Sequence, residues 1–202
     1  MLDVLIIGGG VSGVSCALVL GSAGNKTFAA HKQIAIITHQ KTSSLQEAVI
    51  HNAYGISSGK TGAQLLVESL GHLRESYPHV TMIEGEKVLR IEGSYPEFTV
   101  FTNKKSYQTK LLVIAIGYSN TFAIEGLTEY VMPHEKAAPE KQRIQLRNAD
   151  HKVAEGIYVA GNLAGWRSQV SIASGSGAAV ATDILTLWNN GQQTQSHDKI
   201  QK

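Results

Sequence analysis

The sequence of 202 residues contains a single cysteine, Cys16. That excludes an internal disulfide and any Cys-x-x-Cys redox pair. The formal net charge is only +2 and is spread along the chain without a basic stripe, so nucleic acid is not an expected partner. No uninterrupted apolar run approaches the ~20 residues of a membrane span. The apolar opening is broken by glycines and lacks a basic leader, so neither a signal peptide nor a membrane anchor is expected, and the expected location is cytoplasmic. His31, His72, His79, His134, His151 and His197 show no metal-ligand spacing, and no metal site is expected. A chain of this length can bury one good core. The simplest division is one domain over 1–188 and a polar, Gln-rich tail over 189–202 that is expected to be disordered.

What the chain does have is concentrated at its start. Asp3-Val4-Leu5-Ile6-Ile7 leads straight into Gly8-Gly9-Gly10-Val11-Ser12-Gly13, a strand, a glycine turn and a helix start. Gly8, Gly10 and Gly13 have the G-x-G-x-x-G spacing of a dinucleotide-binding turn. Gly8 permits the tight turn, Gly10 lets the backbone approach a pyrophosphate, and Gly13 lets the helix pack close to the strand. The helix beginning near Val11 then turns its free N–H groups and positive dipole end toward phosphate.

Apolar patterning gives the rest of the outline. Strands are expected at Val4–Ile7 and Gln33–Thr38, buried on both sides as in a parallel sheet, and a short one at Val80–Ile83. Helices are expected at 11–23 and, from the spacing of Leu65, Leu66, Leu70 and Leu73, at 61–75. Lys87–Glu92, Glu97–Thr102 and Ser106–Thr109 alternate with period two between turn residues, as in an antiparallel meander. Leu111–Ile116 reads as a separate buried strand. Residues 118–155 show no clear periodicity. Gly156–Gly161 is the last strand, and Val170–Trp188 is a closing helix rich in Ala, Ser and Gly. The whole is an α/β fold: a Rossmann-like parallel sheet with helices on both faces and a small inserted meander.

Three distant segments now line up: the turn at Gly8–Gly13, the strand Leu111–Ile116 ending at Gly117, and Gly156-Ile157-Tyr158-Val159-Ala160-Gly161-Asn162 followed by the helix from Gln169-Val170. In this order, with a meander between the first two, they resemble the FAD-binding half of the thioredoxin reductase and pyridine-nucleotide disulfide oxidoreductase family over residues 2–188. The resemblance implies FAD as cofactor and a role for each matching position. Gly8, Gly10, Ser12 and Gly13 would lie along the pyrophosphate, and the backbone of Val88 would meet the adenine. Ala115, Ile116 and Gly117 would pass beneath the nucleotide. Gly161 and Asn162 match a Gly-Asp pair whose side chain bonds the ribityl chain. Gln169 and Val170 would bring a helix N-terminus to the pyrimidine edge of the isoalloxazine, where it stabilises negative charge on reduction.

The chain departs from the family pattern in several places. The second strand ends Thr38-His39-Gln40-Lys41 instead of in a carboxylate, so Thr38 or His39 would bond the ribose hydroxyls, and His and Lys there keep NADP open. Asn162 replaces the usual Asp, and its amide can still bond hydroxyls. Between Gly117 and Gly161 the family carries an NAD(P)H-binding domain, but only residues 118–160 intervene here, far short of the ~100 residues of a typical domain. Three functions stay open: a flavoprotein oxidoreductase served by a free donor or by a donor or acceptor protein, a non-catalytic FAD-binding module, or an NAD(P)-binding domain. Self-association is also plausible, because a lone flavin domain exposes faces that a second domain would cover. Cys16 reads as a buried core thiol, and His51 as a structural histidine before an acid or base. Trp166 and Arg167 read equally as a flavin cover and as an exposed loop pair.

Overall fold

The computed structural model describes residues 1–39, 45–118, 121–194 and 196. In chain order the elements are β1 (Leu2–Ile7), α1 (Val11–Ser22), β2 (Ile34–Thr38), β3 (Val49–Ile50), β4 (Lys60–Thr61), α2 (Gly62–Ser76) and β5 (Thr81–Glu84). There follow β6 (Val88–Ser94), β7 (Glu97–Thr102), β8 (Ser106–Ile114), β9 (Val131–Pro133), β10 (Ile144–Leu146), β11 (Lys152–Ala154), β12 (Ile157–Val159) and α3 (Val170–Trp188). The main sheet has the order β11-β12-β8-β1-β2-β5, parallel except for β11. Gln40 and Lys41 fall outside the described residues, as does most of the tail beyond Thr194.

Alternating side chains of the central strands feed two cores. Val4, Ile6, Ile34, Ile36, Leu111 and Val113 face α1, α3 and Leu73 of α2. Leu5, Ile7, Ile37, Leu112, Ile114 and Val159 face the meander residues Val88, Ile91, Phe98 and Val100, together with Ile124, Leu127 and Leu146. Among the described residues the three α-helices therefore lie on one side, which corrects the expectation of helices on both faces. A strand buried on both sides is apolar whether helix or sheet covers it.

Two other expectations change. The segments at 106–109 and 111–116 are one strand, β8, which pairs antiparallel with β7 through Ser106–Thr109 and parallel with β1 through Leu111–Ile114. The unpatterned stretch after Gly117 holds the β9–β10 hairpin and β11. By length and composition α3 would also pass for a membrane-crossing helix, as buried core helices do, and its Val180, Ala181, Ile184 and Leu185 are buried in the first core.

Asp3 ties the front edge of the sheet together. It accepts the Gln33 N–H at 2.9 Å and Lys110 Nζ at 2.9 Å, with Lys32 Nζ at 3.6 Å. Burial pushes its carboxyl up, but the Gln33 bond and the two lysines outweigh this and hold it below the usual carboxylate value. A depressed carboxyl stabilises fully above its unfolded value and loses that contribution as pH falls through its folded one. Asp3→Asn is expected to lower stability by about 1–2 kcal/mol near neutral pH. In urea melts that difference from wild type should shrink as the buffer is taken below about pH 4.

Candidate functional site

The carboxyl ends of β1, β2, β8 and β12 lie side by side in register, which is where open α/β sheets bind ligands. Gly8 leaves β1 at φ +123°, and a Cβ there would stand 2.3 Å from the Ala115 carbonyl oxygen. Gly13 is pressed so close to the Gly8 carbonyl that a Cβ would be 1.9 Å away. Both glycines thus have the backbone roles expected of them, Gly8 in the tight turn and Gly13 in the close packing of helix on strand. Gly9, which carried no expected role, packs on Thr38, whose methyl would lie 2.7 Å from an added Cβ. Gly10 is the N-cap of α1 in extended conformation, and no side chain caps that end. The first N–H groups of α1 are therefore free for an anion.

The rear of the chain meets this front turn at Ser12. Gly161 sits at φ +75° with its face 2.7 Å from Ser12 Oγ, measured to an added Cβ, and Gly177 of α3 comes within 2.0 Å of the Ser12 carbonyl in the same sense. Ser15 Oγ donates to the Ser174 carbonyl at 2.8 Å, joining α1 to α3 one turn further on. Next to Gly161, the buried amide oxygen of Asn162 has no hydrogen-bond partner. A buried acceptor without a donor costs about 1–3 kcal/mol, so a ligand hydroxyl there would relieve a standing penalty. Gln169, exposed, is the N-cap of α3, again with no side-chain cap, and Val170 begins the helix.

The remaining predicted positions divide. Ala115 is tied into the turn by donating its N–H to the Ile7 carbonyl at 2.8 Å. Ile116 is half-buried and Gly117 exposed, with open space around its Cα. Thr38 ends β2 with its hydroxyl 3.5 Å from the Ile83 carbonyl, and His39 follows half-exposed. Val88 is buried in the meander core at the start of β6, paired with Thr102, beside a bulge. Gly175, two residues before Gly177 on α3, has no atom within 4 Å of an added Cβ. Cys16 is fully buried, and burial pushes its thiol far up. His51 bonds Ser58 Oγ at 2.9 Å in an exposed loop.

Two histidines were set aside when only metal spacing was considered, yet both reach this site. His134 Nε2 lies 3.1 Å from the Asn162 carbonyl. His151 Nε2 lies 2.9 Å from Ser176 Oγ, which in turn accepts the Gly161 N–H at 2.8 Å. Trp166 is 41% exposed but not loose: its indole N–H donates to His151 Nε2 at 3.1 Å, and its ring stacks on that imidazole at 6.0 Å. Arg167 is exposed. No local pattern marks these histidines, because residues 118–155 carry no regular periodicity.

An α/β fold of the FAD/NAD(P)-binding kind is what this sheet and these turns define. The pyridine nucleotide-disulphide oxidoreductase family model matches residues 2–162, and the chain belongs to that family. Solved structures with the same fold include an oxidoreductase from Agrobacterium tumefaciens, 16% identical, with a TM-score of 0.71, covering 95% of this chain and 99% of that one. A thioredoxin reductase from Gloeobacter violaceus is 14% identical with a TM-score of 0.71, covering 98% of each chain. A ferredoxin-flavin thioredoxin reductase from Clostridium acetobutylicum is 16% identical with a TM-score of 0.67, covering 93% of this chain and 98% of that one. No curated protein matches the sequence.

Proposed function

We propose that residues 1–188 form an FAD-binding domain and that the protein is a flavin-dependent oxidoreductase. The carrying observation is the unpartnered, buried Asn162 amide oxygen, one residue after Gly161, which rests on Ser12 of the front turn. The residues fit the cofactor from end to end. Gly10 and the first N–H groups of α1, with Ser12 and Gly13, would hold the pyrophosphate. Thr38 or His39 would meet the adenosine ribose, with Val88 beyond them at the adenine. Gly8, Ala115 and Gly117 would keep bulky side chains out of the path while Ile116 packs on the second core, Asn162 would bond ribityl hydroxyls, and Gln169-Val170 would face the pyrimidine edge. Bound FAD would supply reversible two-electron chemistry. The chain's own part is binding and electrostatics, and no side chain is assigned as an acid or base.

The electron source follows from what occupies 118–160. Among the described residues of that segment there are short strands and 3-10 turns but no α-helix, so a second nucleotide domain is not built there. Electrons would come from a diffusing donor or a partner protein. The Clostridium relative, by name a ferredoxin-flavin enzyme, is consistent with a protein donor on this fold. The test is a visible spectrum of protein reconstituted with FAD, before and after anaerobic NADH or NADPH, then with a reduced iron–sulfur protein. Retained flavin bleached by a donor is the expected result. Flavin inert to every donor would make this a non-catalytic module, and a colourless protein that binds NADPH would replace FAD with NADP.

A further inference from the structure

The Gly161–Asn162 turn is gripped at both of its ends by histidines from the segment between Gly117 and Gly161. At the far end, the Lys136 N–H donates to His134 Nδ1 at 3.1 Å. That leaves the proton on Nε2, which donates to the Asn162 carbonyl at 3.1 Å. The His134 ring is itself steadied edge-on against Tyr118 at 5.6 Å. At the near end the logic reverses. An indole N–H can only donate, so the bond from Trp166 makes His151 Nε2 an acceptor and puts the proton on Nδ1, 3.6 Å from Asp150 Oδ1. The Ser176 hydroxyl then donates to Nε2 while its oxygen accepts the Gly161 N–H. The two bonding patterns place the ring protons on opposite nitrogens, and both imidazoles are buried, at 6% and 5% exposure.

His151 holds this place in a backbone conformation that non-glycine residues rarely adopt. Its φ is +70° and that of Asp150 is +46°. The Asn148 side-chain oxygen accepts the His151 N–H at 3.1 Å, and the His151 carbonyl accepts the Val159 N–H at 2.8 Å. An unusual conformation kept in place by surrounding bonds points to a constraint worth its cost. The turn it supports ends in Asn162, which carries, among the described residues, the one buried amide oxygen left without a donor.

We propose that His134 and His151 are positioning residues that hold the Gly161–Asn162 turn from both ends, so that the Asn162 amide oxygen meets the ribityl hydroxyls of a bound flavin. The inference rests on the FAD assignment above. Glutamine carries a donor and an acceptor near the reach of Nε2, whereas methionine has similar bulk with no donor and only a weak sulfur acceptor. His134→Met and His151→Met should each raise the dissociation constant for FAD about tenfold, as loss of one well-placed hydrogen bond does. His134→Gln and His151→Gln should stay within about threefold of wild type. The double Met variant should lose less than the product of the single losses, because both act on one turn.

Binding is read by quenching of flavin fluorescence on titrating FAD with apoprotein. Ser176→Ala, a substitution that suits a helix, breaks the His151 arm even where His151→Met does not fold, and it should weaken FAD about tenfold too. Met variants or a Ser176→Ala protein that bind FAD like wild type would overturn the proposal. So would Gln variants as weak as the Met ones, or losses that multiply. Wild-type protein that takes up no FAD would sink the cofactor assignment itself, whereas wild type that binds with indifferent variants sinks the clamp alone.

Discussion

Gly10→Val will give a folded protein that does not hold FAD. Gly10 sits at φ −80° and ψ −176°, an extended conformation that valine favours. The substitution therefore leaves the backbone unstrained, and the thermal melt should stay within a few degrees of wild type. What changes is the approach to the first turn of α1. Its uncapped N–H groups and dipole end are the strongest anion-binding feature of the site, and a branched side chain at the N-cap would stand in the way of a pyrophosphate. Affinity for FAD should fall at least about a hundredfold, or roughly 2.7 kcal/mol. Equilibrium dialysis against FAD measures it. A Gly10→Val protein that keeps a full complement of flavin would remove the pyrophosphate from this turn.

The front of the molecule was legible because two independent signals coincide there: apolar strand composition, and glycines at positions where the backbone allows nothing larger. Gly8 and Gly13 confirm this, each meeting backbone atoms where a Cβ would go. The run through β8 was misread because Thr109-Lys110 resembles a polar break. In the fold Thr109 is fully buried with its hydroxyl donating to the Leu111 carbonyl at 2.9 Å, while Lys110 reaches Asp3. The polar pair is where one strand passes from the meander to the parallel sheet. The face of the sheet that the helices cover was not legible either, since Leu5 and Ile6 are equally apolar and face opposite cores. His134 and His151 escaped for a different reason. Their contacts join residues 134 and 162, and 151 and 176, and only the tertiary path of the segment between Gly117 and Gly161 brings them together.

Gly177→Ala and Gly175→Ala will have opposite effects although they lie two residues apart on one helix. In α3 each glycine costs about 1 kcal/mol relative to alanine by helix propensity alone. At Gly175 nothing lies within 4 Å of an added Cβ, so the substitution should simply recover that amount, raising stability by about 0.5–1 kcal/mol. At Gly177 the added carbon would stand 2.0 Å from the Ser12 carbonyl oxygen and 3.1 Å from the Cys16 N–H nitrogen. Both are backbone atoms of α1, which cannot step aside as a side chain would, so α3 must move away. Such overpacking costs about 1–3 kcal/mol, and parting the helices also weakens the bond of Ser15 to Ser174. Urea melts should therefore show Gly177→Ala destabilised by about 2 kcal/mol. Flavin affinity should fall with it, because Gly161 rests on the same Ser12. A Gly177→Ala protein as stable as wild type would mean that α1 and α3 do not meet at Ser12, and with that contact gone the front turn and the rear turn would no longer share one ligand.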